Sequence, residues 1–168
     1  MVLKHLLRGL LLALLLAVGF WVWKTFFPGD EALIRRQLVA LAEAASFGSD
    51  EAPLVKLTNA ARVAGFFTAD TEIDIAPWGY QRVVISGHTE VQQAAVGARN
   101  AVASLSVRVE NIEITFRDDP AGARVRCTLT GRTSRESETQ SQEMELEMLK
   151  LDGDWLIHRA RTFDYIRN

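Results

Sequence analysis

The most apolar part of the chain is its N-terminal stretch, in which no charged residue lies between Arg8 and Lys24. A helix needs about 20 apolar residues to cross the hydrocarbon core of a bilayer. The stretch from Leu6 to Phe27 has that length if the Arg8 and Lys24 side chains extend toward the headgroups. Trp21, Trp23 and two phenylalanines crowd its C-terminal end, as is typical of a membrane interface. The pattern predicts a transmembrane helix.

A cleaved signal peptide is the alternative for the same stretch. Its cleavage site would be the small residues at Ala17-Val18-Gly19. Cleavage there would leave a mature terminus beginning Phe-Trp-Val-Trp, which is awkward for a soluble protein. Length and the aromatic end favour an anchor, so the chain is predicted to contain four segments: a short tail at 1–8, a transmembrane anchor at 9–27, a hinge at 28–30 and one domain at 31–168.

The charges beside the anchor predict its orientation. Lys4 and Arg8 lie in the short tail, whereas Asp30 and Glu31 follow the apolar stretch. Cytoplasmic flanks carry an excess of lysine and arginine, so the tail is expected inside and the domain outside. In a bacterium this describes a single-pass inner-membrane protein whose domain lies in the periplasm.

Three amphipathic patterns beyond the hinge predict helices. The predicted caps are Asp30, then Ser49 or Asp50, and Thr89, which forms a capping box with Gln92. Each helix carries an apolar row: Ile34, Leu38, Leu41 and Ala45 in the first; Leu54, Leu57, Ala61 and Ala64 in the second; Val91, Ala95, Ala98 and Val102 in the third.

Alternating apolar and polar residues predict six strands. The first two, Glu72 to Ala76 and Gln81 to Ile85, are expected to form a hairpin, and four longer strands follow as an antiparallel meander. The alternation slips after Glu110, which predicts a β-bulge near Glu110-Asn111, and slips again at Leu149. Asp152-Gly153-Asp154 predicts a tight turn before the last strand.

The order helix, helix, strand, strand, helix and four long strands resembles the nuclear transport factor 2-like superfamily, which includes SnoaL-like domains of cystatin-like fold. The resemblance rests on this order, on Gly87 just before the third helix, on the bulged long strands and on Asp-Gly-Asp-Trp-Leu-Ile at residues 152–157. It implies an α+β fold in which a strongly bent antiparallel sheet wraps the helices into a cone with a pocket at its wide end.

Composition narrows the classes of partner. The 19 Lys and Arg residues nearly balance 21 Asp and Glu residues, so no basic surface points to nucleic acid. Cys127 is the only cysteine and cannot form an internal disulfide. His88 and His158 are the only histidines beyond the anchor, and neither HExxH nor CxxC occurs. The sequence therefore predicts no metal and no cofactor.

Enzymes of the resembled superfamily place an aspartate, or a histidine with an acid partner, inside the cone. His158 is the candidate base here, although the alternation of the last strand leaves open which face is inward. Phe67, Trp78 and Tyr80 are predicted to line the pocket or its rim. Asp74 lies out of phase with the apolar residues of its strand and is expected to face water.

Charged residues on two neighbouring strands have a simpler interpretation than a metal site. Arg124 and Arg126 can meet Glu143, Glu145 and Glu147 across an antiparallel pair, which predicts ion pairs on a solvated face. Burying so many charges in a dimer interface would cost several kcal/mol each unless they were well paired. A monomer is therefore favoured over a dimer through this face.

No acid–base set is identifiable, so the sequence predicts a membrane-anchored, non-catalytic binding or accessory module. Its partner would be a small apolar ligand or another protein. The alternative, implied by the resemblance, is an isomerase, dehydratase or cyclase that uses the cone pocket and His158. The lining of the cone separates the two hypotheses, because aliphatic side chains would favour binding and proton-transfer groups would favour catalysis.

Overall fold

The computed structural model describes residues 29–76, 81–117, 121–134 and 138–163. The predicted anchor at residues 9–27 therefore lies outside the described residues. Within those ranges, no helix is both long enough and apolar enough to cross a membrane. The sheet and its cavity belong to one compact unit, Ile34–Asn168.

The described residues form three helices and one six-stranded sheet. The helices are α1 (Asp30–Ala45), α2 (Pro53–Ala64) and α3 (Gly87–Ala101). The strands are β1 (Phe67–Ile75), β2 (Val83–Ser86), β3 (Leu105–Phe116), β4 (Gly122–Thr133), β5 (Gln140–Leu151) and β6 (Asp154–Thr162).

The sheet has the strand order β2-β1-β6-β5-β4-β3. The hairpin of β1 with β2 and the meander from β3 to β6 are both antiparallel, which confirms those predictions. The prediction of a wholly antiparallel sheet was wrong at one pair, because β1 and β6 run parallel. Alternation along a strand identifies its faces but carries no information about a partner at the far end of the domain.

The predicted bulge in β3 is confirmed. The pairing of β3 with β4 shifts between Glu110 and Glu113, and Asn111 takes a positive φ of 52°. An extra residue at this position restores the phase, so the apolar residues on both sides of the bulge can point to the same face of the sheet.

The second predicted slip lies in a different strand. β5 pairs with β4 without interruption from Gln140 to Leu149, so the expected slip at Leu149 is wrong. The irregularity is in β6, where Arg159 pairs with Glu147 and Ile157 pairs with Met148, leaving His158 between them without a partner residue in β5. A bulge changes which residues face the core, so this one decides the position of the candidate base.

The turn between β5 and β6 is confirmed. Asp152 and Gly153 have φ values of 53° and 95°, and Leu151 pairs with Asp154 on either side of them. Two consecutive residues of positive φ form the type I′ turn, whose twist matches that of the flanking strands.

The prediction for α2 was wrong at its cap and for three of the four residues of its apolar row, of which Ala64 is buried as expected. The helix begins at Pro53, and neither Ser49 nor Asp50 caps it, because the N-cap is Ala52. Proline suits the first turn, since its ring fixes a helical φ and its missing N–H would have had no partner in the helix. Leu54 and Leu57 are 74% and 51% exposed, and the buried residues are Ala60, Val63 and Ala64. Small side chains let this helix pack closely against α3.

The helix α3 begins earlier than predicted. Gly87 is its first residue, and the backbone N–H of Ser86 donates to Glu90 Oε2 at 2.8 Å, so the expected Thr89 and Gln92 capping box is not used. Gly87 has a φ of +78°, and a Cβ there would lie 3.4 Å from the Ala69 carbonyl oxygen in β1. Glycine therefore makes the abrupt change from β2 into α3 without strain.

Candidate functional site

A cavity of about 310 Å³ lies between the helices and the inward face of the sheet. All three helices and all six strands of the described region contribute to its lining. The side chains from the long strands are almost wholly aliphatic: Leu105, Val107, Val109, Leu129, Met144 and Leu146.

Small residues on α3 leave room for the cavity. Ala94, Ala95 and Ala98 line the cavity where longer side chains would fill it. Their spacing places them along one side of the helix, so α3 presents short side chains to the cavity at these positions. The sequence pattern that predicted a close-packed helix thus also leaves the void.

Arg99 is the one charged residue among the described residues that line the cavity. It is 3% exposed. Its Nη2 donates to the Ala44 carbonyl at 2.6 Å and its Nη1 to the Ala95 carbonyl at 3.2 Å. Its guanidinium carbon lies 5.1 Å from the centre of the Phe47 ring. These contacts hold the guanidinium in a fixed position at the wall of the cavity.

Glu51 balances the charge of Arg99. Its Oε2 lies 3.3 Å from Arg99 Nε, and its Oε1 accepts a hydrogen bond of 2.7 Å from Asn59 Nδ2. A buried cation without a counter-ion would be costly, so the pair explains how Arg99 is tolerated beside aliphatic side chains. Sequence reasoning missed both residues. Arg99 lies four residues after Ala95 in the inward row of α3, and this spacing was the available signal.

Cys127 also lines the cavity. Burial raises the pKa of its thiol to about 11. The thiol is therefore protonated at neutral pH, and a protonated thiol is a poor nucleophile.

Phe67, which the sequence predicts for the pocket or its rim, is among the residues that line the cavity. Trp78 and Tyr80, the other two aromatic residues predicted for the pocket or its rim, lie outside the described residues. The contribution of the turn between β1 and β2 to the site stays a prediction.

His158 does not belong to the described lining of the cavity. Its Nδ1 lies 3.3 Å from Thr68 Oγ1 and 3.5 Å from Asp70 Oδ1, and its carbonyl accepts a 3.0 Å hydrogen bond from Thr71 Oγ1. The bulge at His158 turns Ile157 and Ala160 toward the cavity, so neither alternating set of the sequence faces inward as a whole.

The acid beside His158 is exposed. The Asp70 side chain is 79% accessible, and its pKa is lowered by the hydrogen bond from the Thr68 hydroxyl, with a smaller contribution from His158. Asp74, the other acid considered, pairs with Arg82, and this hydrogen bond lowers its pKa. In the ranges that the structure describes, no group of three His, Cys, Asp or Glu residues is arranged to hold a metal ion.

The outer face of the sheet carries the predicted ion pairs. Arg126 faces Glu145 and Arg124 faces Glu147 in the register of β4 with β5. Glu145 is less solvated than expected, with a side chain 3% exposed. It is covered by three arginines: Arg161, to which it is hydrogen-bonded, Arg126 at 3.4 Å and Arg124 at 3.8 Å.

The model of the SnoaL-like domain family matches residues 30–161 of the chain. No functionally curated protein matches it. Among solved structures, a nuclear transport factor 2-like protein with a cystatin-like fold from Novosphingobium aromaticivorans is 12% identical, with a TM-score of 0.63, and 91% of this chain and 90% of that chain are covered.

Two further structures from the same organism are similar. A candidate scytalone dehydratase is 18% identical, with a TM-score of 0.61 and coverage of 80% of this chain and 85% of that one. A candidate aromatic ring hydroxylase is 15% identical, with a TM-score of 0.62 and coverage of 82% and 90%. Likeness at this level of identity shows the fold alone, which is the α+β, cone-like nuclear transport factor 2-like fold. On the match over residues 30–161, the chain belongs to the SnoaL-like domain family.

Proposed function

We propose that this domain is a non-catalytic module that binds a small apolar molecule in its cone. The observation that carries the proposal is the aliphatic lining of the cavity. A volume of about 310 Å³ lies at the lower end of the range for ligand pockets. Such a pocket disfavours charged molecules, because its one charged described lining residue, Arg99, is already paired with Glu51 and the other side chains would not replace the lost hydration.

The enzyme alternative needs a proton-transfer group that reaches the cavity. Among the described lining residues, the Arg99 guanidinium has hydrogen-bond donors and no acceptor, and the Cys127 thiol is protonated at neutral pH. His158 contacts Thr68 and Asp70 instead. Tyr80, which lies outside the described residues, is the group through which an isomerase, dehydratase or cyclase would operate. Turnover of a bound carbonyl compound that is lost in Tyr80→Phe would support the enzyme and contradict the binding module.

We further propose that residues 9–27 hold the domain at a membrane, in a bacterium the inner membrane with the domain in the periplasm. The uninterrupted apolar stretch and the charges beside it support this arrangement. The domain also exposes apolar side chains along α2, namely Leu54, Val55 and Leu57. A ligand that fits an aliphatic cavity partitions into bilayers, so a module fixed there would meet it at high local concentration.

Ligand binding is tested by titrating the full chain in lipid nanodiscs with N-phenyl-1-naphthylamine and subtracting empty nanodiscs. Ala95→Phe fills the cavity and is expected to weaken binding at least about tenfold, since an overpacked cavity no longer admits the probe. Ala61→Phe is the matched control, because Ala61 is exposed on α2. Equal binding by all three proteins, or no saturable binding by the wild type, would contradict the proposal.

Anchoring is tested by extracting membranes with alkaline carbonate. The full chain is expected to stay in the membrane pellet. Leu14→Arg/Leu15→Arg is expected to release it, because each arginine at the middle of a membrane helix costs about 2.5 to 3.5 kcal/mol. A wild-type chain in the supernatant, or a mature mass that begins after Gly19, would contradict the anchor and support a cleaved signal peptide.

A further inference from the structure

We infer that the outward face of α2 docks into the interface of a lipid bilayer, where Leu54, Val55 and Leu57 enter the headgroup region. The inference rests on the proposed anchor at residues 9–27, which would keep the domain near a membrane. It adds the surface through which the folded domain meets the lipid.

The helix α2 concentrates exposed apolar side chains. Eight large apolar residues are exposed in the ranges that the structure describes, and three of them, Leu54, Val55 and Leu57, lie within the first five positions of this 12-residue helix. Helical spacing joins them with the exposed Thr58 and Ala61 into one outward face. We call these five residues the α2 face. Single exposed apolar residues are ordinary, whereas a contiguous group marks an interaction surface.

The charges of α2 favour a lipid surface as the partner. The helix contains no acidic residue, and its two charged residues, Lys56 and Arg62, are both basic. Arg62 is exposed one turn beyond Thr58, on the outward side of the helix. Helices that lie in a membrane interface combine an apolar face with basic side chains that meet the headgroup phosphates. A second copy docked through the same face would bring two basic helices together, which like charges disfavour.

The short connection to the proposed anchor explains why a small face is sufficient. The apolar stretch ends at Phe27 and α1 begins at Asp30. Three steps of extended chain span about 10 Å at most. A domain tethered this closely meets the bilayer at a high effective concentration, so weak contacts of the α2 face can hold it there.

The opposite side of α2 contributes to the cavity. Val63 belongs to the lining, and the helix packs against α3, whose alanines line the same space. An α-helix with its side chains is about 10 Å across, so docking through the α2 face places the cavity within about one helix diameter of the lipid. An apolar ligand then has only a short path from the bilayer into the cone.

The test places a fluorophore on the α2 face of the full chain in lipid nanodiscs. Thr58→Cys is labelled with nitrobenzoxadiazole; Cys127, the only native cysteine, is buried and does not compete for the label. The label is expected to lose most of its fluorescence when the lipids carry a nitroxide near the headgroup, because an interfacial helix lies about 5 to 10 Å into the boundary of headgroups and acyl chains. The same label at Thr115→Cys, on the outer face of the sheet, should keep its fluorescence.

Two pairs of substitutions, each combined with the labelled Thr58→Cys, test which surface docks. Leu54→Asp/Leu57→Asp should abolish the loss of fluorescence, because carboxylates do not enter the interface. Val83→Asp/Val84→Asp is the matched control, since it changes an exposed apolar pair on β2, and it should leave the loss unchanged. An equal effect of the two pairs would overturn the assignment to α2.

The label at position 58 alone keeps the inference testable if a double variant does not fold. Quenching by aqueous iodide instead of by the lipid nitroxide would show that the α2 face lies in water and would overturn the inference. A label that neither quencher reaches would place a second copy or another protein over the face, which also overturns it. Both results would leave the anchor and cavity binding intact, whereas a chain that leaves the nanodiscs would overturn the proposed anchor.

Discussion

Glu145 lies on the outer face of the sheet, where its carboxylate pairs with Arg124, Arg126 and Arg161. Burial raises the pKa of its carboxyl group. The hydrogen bond and charge of Arg161, the charge of Arg124 and the hydrogen bond from Arg126 outweigh that effect and leave the pKa below its usual value. The same pair raises the pKa of Arg161. The carboxylate is therefore bound more favourably in the folded chain than in the unfolded one.

Replacing Glu145 with Gln should lower the free energy of unfolding by about 2 kcal/mol, because it removes the charge that three arginines surround. Urea denaturation at neutral pH measures the loss. Glu143→Gln is the control, since Glu143 is exposed on the same strand. Equal stability of the two variants would contradict this prediction, because it would show that the charge of Glu145 contributes no more to the free energy of unfolding than that of Glu143.

The same residue predicts a pH dependence. A carboxyl group whose pKa is lowered on folding stabilises the protein fully above its usual pKa of 4.5, and this stabilisation is lost as the pH falls through the lower, folded value. The stability of the wild type should therefore fall more steeply below pH 4.5 than that of Glu145→Gln. Parallel curves for the two proteins would contradict the assignment.

The contacts of a residue could be predicted from the sequence where they depend on the register of two neighbouring strands. They could not be predicted where a third strand also contributes. The pairing of Arg126 with Glu145 follows from two neighbouring strands. The burial of Glu145 also requires Arg161, which arrives from β6 on the other side of β5. His158 is the opposite case, since a bulge of one residue moves its side chain out of the set to which alternation assigned it.

At the scale of elements, the turn between β5 and β6 makes a direct prediction. Gly153→Ala should destabilise the domain by about 1 to 2 kcal/mol, because its φ of +95° is disfavoured for a residue with a Cβ. Gly48→Ala is the control, since a Cβ there meets nothing within 4 Å. Thermal unfolding of both variants measures the difference, and an equally stable Gly153→Ala would show that the turn can change its conformation.

Strands were more predictable than helix faces. The bulge at Glu110-Asn111 could be predicted from a local change in alternation. The tight turn at Asp152-Gly153 could be predicted from residues that tolerate positive φ. In the predicted inward row of α2, Ala64 is buried as expected, but Leu54, Leu57 and Ala61 are exposed. The helix packs through Ala60, Val63 and Ala64 instead. Hydrophobicity predicts that some face is buried, and the closeness of the neighbouring helix decides which one.

At the scale of the whole domain, the order of elements was sufficient to predict the fold but not its closing pair. The parallel contact of β1 with β6 joins the first and last strands of the domain, and it brings Ile73 and Ala160 into neighbouring positions. The candidate site depends on this pairing of β1 with β6. Arg99 and Glu51, which come from α3 and the loop before α2, could not be recognised as a pair by spacing along the chain.

The central claim is that a small apolar molecule occupies the cone, and nuclear Overhauser effects between ligand and methyl groups test it most directly. With 2-acetylnaphthalene and the methyl-labelled full chain in lipid nanodiscs, effects are predicted to the methyl groups of Val107, Leu129 and Ile157, which line the cavity. Effects confined to the exposed residues Leu54, Val83 and Val84 would place the ligand outside the cone and contradict the account.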